Sequence, residues 1–153
     1  RVVRHHRLAE VFLVESLGYD WAHVEATVDR LEHALDEEFA LRLERLLGHP
    51  RACPHGDPIP TAELDVPRLP ERPLTTLPAG QEAEISRVTG DSALLTYYKA
   101  QGLVPGARFT LTDRAVPGGL LTIQREGESL LLPPSVAVGI FVRRPLPDVP
   151  PGP

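Results

Sequence analysis

Asp29-Arg30-Leu31-Glu32-His33 reads as one turn of an amphipathic helix carrying two carboxylates and an imidazole on one side. Upstream, His6-Arg7-Leu8-Ala9-Glu10 sets a second imidazole and a third carboxylate four residues apart, again on a single helical face. Groups of this kind repel or go unsatisfied unless a divalent cation sits among them. A solvated face is the ordinary origin of an acidic stripe. A histidine inside the stripe, with a His/Glu pair on the preceding helix, points instead to a metal sensor.

Outward from these stretches, the spacing predicts a first helix over residues 1–17, stopped by Gly18. Leu8, Val11, Phe12, Leu13, Val14 and Leu17 spread over more than one of its faces, so part of that surface is expected at a subunit interface. A second helix is expected over 21–35 with Asp20 as N-cap. Its core stripe is Val24, Val28, Leu31 and Leu35, and Glu25, Asp29, Glu32, His33 and Asp36 lie beside it. A third helix over 37–47 is capped by Asp36 and ended by Gly48 and Pro50.

From 49 to 78 the chain is proline-rich and includes Cys53-Pro54-His55-Gly56-Asp57-Pro58. Residues 66–77 read as an extended linker. Beyond Pro78, strands are expected at 82–88, 108–112, 119–124, 129–132 and 140–144, with one short helix over 92–101. The expected fold is α+β: an all-helical domain (1–65), a linker (66–77), a small β-barrel (78–146) and a disordered tail (147–153).

The net charge is −5, from 16 basic and 21 acidic side chains, so no basic stripe for nucleic acid is expected here. One cysteine excludes an internal disulfide framework and suits a reducing, cytoplasmic setting. No apolar run approaches the roughly 20 residues of a membrane span. No nucleophile elbow, phosphate-binding loop or HExxH argues for an enzyme. Two alternatives stay open on the residues alone: a metal-dependent hydrolase, and an interaction module whose barrel binds a proline-rich peptide. His5, His23 and His49 lack metal-ligand company and are read as surface residues, and Trp21 as a packing anchor. The chain holds no methionine and is already in a helical pattern at Arg1 without an N-cap. The expectation is that a preceding segment is missing.

His6-Arg7-Leu8-Ala9-Glu10, Leu17-Gly18-Tyr19-Asp20, Leu31-Glu32-His33 and Cys53-Pro54-His55-Gly56-Asp57-Pro58-Ile59-Pro60 together resemble the diphtheria toxin repressor family of metal-dependent transcriptional regulators. The region after Pro78 resembles that family's SH3-like domain, also found in ferrous-transport accessory proteins. The resemblance implies a homodimer that contacts its DNA operator only through a winged helix-turn-helix preceding Arg1. It implies a primary metal site of His6, Asp29, Glu32 and His33. The implied second site uses Glu10, Cys53, His55 and an acidic residue of the barrel region, for which Asp91 is the choice. In iron-responsive members the position of Asp29 is a cysteine and that of Glu25 a histidine. Oxygen in place of sulfur favours a harder ion, so Mn(II) is the expected cofactor, then Fe(II), with Zn(II), Co(II) or Cd(II) as surrogates.

Overall fold

The structure is a computed structural model that describes residues 2–66, 70–117 and 119–145. Predictions for Arg1, for 67–69 of the linker and for the tail at 147–153 lie outside the described residues. The chain divides into two compact units: Arg1–Leu69 with Thr89–Gln101, and Pro70–Val88 with Gly102–Pro153.

The first unit is helical. α1 spans Val2–Val11 and continues as a π-helical turn, Phe12–Ser16, before Gly18 adopts φ 76°. α2 spans Glu25–Glu32 and α3 spans Glu37–Leu46. The second helix is shorter than its apolar pattern predicts, because Asp20 caps a separate turn by accepting from Ala22 N–H at 3.0 Å. Asp36 caps α3 as predicted, accepting from Phe39 N–H at 2.8 Å.

The apolar surface of α1 is spent largely inside the unit. Leu8 and Val11 pack with Ala40, Leu43, Cys53 and Ile59. On its other side Ala9 and Leu13 pack with Val24, Val28 and Leu35. Leu17, by contrast, stays 55% exposed. His5, expected at the surface, is only 6% exposed and lies 3.6 Å from a Glu37 carboxylate oxygen.

α4, Ser92–Ala100, belongs to this helical unit although its sequence interrupts the strands. Asp91 caps it, and Trp21 Nε1–H donates to the Leu95 carbonyl at 3.1 Å.

The second unit is an antiparallel six-stranded sheet in the order β1-β6-β2-β3-β4-β5. The strands are Arg72–Pro73, Glu82–Val88, Arg108–Arg114, Leu121–Arg125, Glu128–Leu132 and Ile140–Arg143. Among the described residues β1 and β5 are edges that do not pair with each other, so the expected barrel is an SH3-like sheet left open. Alternation places Leu121 and Ile123 of β4, and Ile140 and Val142 of β6, on the buried face. The β4–β5 hairpin turns through Glu126 and Gly127, both at positive φ, the turn whose twist matches that of paired strands. Glu84 is 6% exposed and is neutralised by Arg108 at 3.3 Å and Arg143 at 2.8 Å.

β1 and the short helix α5, Pro134–Ala137, were not anticipated. β1 is two residues long and contains a proline, which suits an edge strand and leaves no alternation to read.

Leu8→Ala should destabilise the protein by about 2–5 kcal/mol, since the site is closed on all sides and cannot collapse fully. Equilibrium denaturation measures this, and a loss below about 1 kcal/mol would contradict the packing of Leu8 against α3 and the Cys53 turn.

Candidate metal centre

α1 presents His6 and Glu10 one helical turn apart, and α2 presents Glu25, Asp29 and Glu32 on a facing stripe. His6 stands between them. Its Nδ1 lies 2.7 Å from Glu32 Oε2 and 3.8 Å from Asp29 Oδ1. Its Nε2 lies 3.0 Å from both Glu10 Oε1 and Glu25 Oε1. Glu10 is likewise shared, since its Oε2 lies 3.1 Å from His55 Nδ1.

His55 sits on a tight turn in which Cys53 N–H donates to the Asp57 carbonyl and Gly56, at φ 94°, donates to the Cys53 carbonyl. Two arginines of α1 tie this turn down. Arg7 donates to the Pro58 carbonyl, and Arg4, fully buried, donates to the Pro60 carbonyl at 3.1 Å and to Glu44 at 2.8 Å. The second ring nitrogen of His55 meets the Trp21 carbonyl at 2.8 Å.

Three donor sets result: Glu10 with Cys53 and His55, His6 with Glu10 and Glu25, and His6 with Asp29 and Glu32. Within each set the potential ligand atoms lie within 4.8 Å of one another. Six of the eight residues expected as ligands, namely His6, Glu10, Asp29, Glu32, Cys53 and His55, are thus gathered into these sets.

His33 and Asp91 join none of these sets among the described residues. α2 ends at Glu32, and His33, its C-cap, is exposed. The Asp91 carboxylate is committed to the first turn of α4, accepting from Leu94 N–H at 2.9 Å. Glu25 is the donor that sequence reasoning left out of the ligand set. Its signal was present, because it lies four residues before Asp29 on the same acidic stripe.

The electrostatics favour positive charge among these carboxylates. Both nitrogens of His6 face carboxylates, which only accept, so the ring is doubly protonated without a cation. The hydrogen bond with Glu10 chiefly raises its pKa, burial opposes this, and Glu32 and the Glu25 charge add to the rise, to about 9. Burial alone would raise the Glu10 pKa. The hydrogen bonds from His55 and His6 overcome burial and lower it to about 2. Burial raises the pKa of Glu25. Burial and the nearby charges of Glu10 and Asp57 hold the Cys53 thiol protonated well above its usual range. A thiolate so disfavoured forms only where a cation takes the place of its proton. Imidazole and carboxylate donors in one region, with imidazole, carboxylate and thiol in the next, suit divalent transition ions.

Comparison with known proteins agrees with this donor chemistry. Residues 1–61 match the family model described as iron dependent repressor, metal binding and dimerisation domain, and residues 72–144 match the FeoA domain. The iron-dependent repressor IdeR of Mycobacterium tuberculosis is 38% identical over 157 residues, covering 94% of this chain and 67% of that protein. A solved manganese-dependent transcriptional repressor in complex with manganese superposes with a TM-score of 0.88 at 34% identity, covering 93% of this chain and 69% of that one. ScaR with bound Zn2+ gives a TM-score of 0.79 at 31% identity, covering 94% and 71%. The chain belongs to the diphtheria toxin repressor family of metal-dependent regulators. Membership of that family displaces the hydrolase and peptide-module alternatives.

With metal removed by a chelator, His6 contributes stability that is full below pH 6.5 and is lost as pH rises through about 9. Glu10 contributes stability that is full above pH 4.5 and is lost as pH falls through about 2. The metal-free Tm should therefore peak between about pH 4.5 and 6.5 and decline toward pH 9, and His6→Gln should flatten the alkaline side. Melting curves across this range check it, and a level wild-type profile above pH 7 would contradict the assignment.

Proposed function

We propose that this chain is the metal-sensing and dimerising part of a divalent-metal-dependent transcriptional repressor that answers chiefly to Mn(II). The observation that carries the reading is the sharing of His6 and Glu10 among three donor sets. Two residues on one helix thereby decide the state of α1, α2 and the Cys53 turn together.

The primary ligands are His6, Asp29 and Glu32, with Glu25 within reach through His6 Nε2. The second set is Glu10, Cys53 and His55. Mn(II) would be favoured at the primary set because its donors are carboxylate oxygens and one imidazole, with no sulfur. Fe(II) fits the same donors, and the thiol of the second set gives Zn(II), Co(II) and Cd(II) a foothold. A bound divalent ion would supply positive charge in place of the one proton that the ligating nitrogen of His6 gives up.

The chain's own residues do the rest. His6 would release one proton, from the nitrogen that ligates, and keep the other N–H on a carboxylate partner. Asp29 and Glu32 then hold α2 at a fixed distance from α1. Arg4 and Arg7 keep the Cys53 turn against α1 throughout. In the relatives named above the output is transcriptional repression, and for this chain it would be exerted on an operator by a DNA-binding domain that these residues orient. Homodimerisation is supported by the description of the matching family model and by the exposed apolar side chains Val2, Val3, Leu17, Phe39 and Leu46 in the helical unit.

Asp29→Ala should weaken Mn(II) binding at the primary set by about tenfold or more while leaving the sedimentation coefficient of the dimer unchanged. His55→Ala should weaken the second set alone. Calorimetric titration of both variants, paired with sedimentation velocity, reads the two effects separately. A His55→Ala titration identical to wild type would remove that residue from the ligand set. Since imidazole and thiol ligands bind only after losing protons, affinity should drop as pH falls toward 6, which titrations at three pH values would show.

A further inference from the structure

The second donor set, whose metal role rests on the reading above, has a neighbour that coordinates nothing and is tied to it in more than one way. Trp21, the only tryptophan, is 4% exposed and precedes α2. We infer that Trp21 is the positioning residue of this set: it selects the ligand nitrogen of His55 and links that imidazole to α4.

Three contacts carry the inference. The Trp21 carbonyl lies 2.8 Å from His55 Nε2. A carbonyl can only accept, so Nε2 carries a hydrogen and Nδ1 is the nitrogen left to ligate. That nitrogen faces Glu10 Oε2 at 3.1 Å, on the side of Cys53. The indole ring stacks on the imidazole, with centroids 4.9 Å apart and planes 27° from parallel, which opposes ring rotation. The indole N–H is committed to the Leu95 carbonyl at 3.1 Å, and the Lys99 ammonium lies 5.4 Å from the indole centroid. Both partners belong to α4. The carbonyl bond is open to any residue at this position, whereas the stacked ring and the bond from its N–H to Leu95 belong to the indole alone.

Fixing Nδ1 as the donor removes the tautomer and ring-flip choices that His55 would otherwise have to give up on binding. The same indole then passes any tightening of His55 to the middle of α4. α4 lies in the helical unit even though the chain enters it from a strand, and Trp21 supplies two of its attachments there.

Co(II) alone is the probe, because thiolate-to-Co(II) charge transfer reports Cys53 in the near ultraviolet. Two variants of the full chain separate the contacts. Trp21→Phe keeps the ring and the carbonyl but loses the N–H, and Trp21→Ala loses the ring. In wild type, Co(II) should produce the charge-transfer band and slow hydrogen exchange at the α4 amides. Trp21→Ala should weaken the Co(II) titration read by that band about tenfold, with Mn(II) binding at His6, Asp29 and Glu32 unchanged. Trp21→Phe should keep the band while Co(II) no longer slows exchange in α4. If Trp21→Ala unfolds, the exchange result for Trp21→Phe decides.

A wild-type titration curve in Trp21→Ala, or unaltered protection of α4 in Trp21→Phe, overturns the inference and leaves the second donor set standing. Absence of the band in wild type itself removes that set, and the inference falls with it.

Discussion

One imidazole held between carboxylates from two helices is the constraint on which the rest of this molecule depends. His6 spends both ring nitrogens on acidic partners, and Glu10 spends both oxygens on imidazoles. Because Glu10 is only 4% exposed, water cannot substitute for those partners. The chain Glu32–His6–Glu10–His55 is therefore satisfied as a whole or not at all. Protons can satisfy it, and so can divalent cations.

The core itself explains why the donors stay in place. α1 is gripped on two sides by different apolar clusters, one leading to α3 and the Cys53 turn and the other to α2. Any shift of α1 that would separate His6 from Asp29 and Glu32 must also open apolar packing on both flanks. The buried Arg4 adds a directional bond from the same helix to the Pro60 carbonyl. Its charge is balanced by Glu44, although its Nε has no hydrogen-bond partner among the described residues.

The donor types divide the labour between regions. Carboxylates dominate around His6, where hard or borderline ions are favoured, and sulfur enters only at the Cys53 turn. The relatives include proteins described as iron-dependent and as manganese-dependent, which is the range these donors span. In the other unit the buried carboxylate Glu84 is matched by Arg108 and Arg143, a structural use of the same charges with no imidazole or thiol beside them.

Much of this was written in local pattern. The i, i+4 spacing of His6 and Glu10, the stripe containing Asp29 and Glu32, and the cap Asp36 depend only on the helical period and on nearby backbone groups. The positions of β2 to β6 followed from local pattern in the same way, and that of the two-residue β1 did not. What local pattern could not hold was partnership across distance. That α1 would be buried on both flanks, that Glu25 would reach His6, that His33 would stay exposed, and that α4 would leave the strands to meet Trp21 are outcomes of how helices pack. Periodicity states which face of a helix a side chain occupies. Only the folded arrangement determines which other face it meets, because burial and charge pairing are settled between elements distant in the chain.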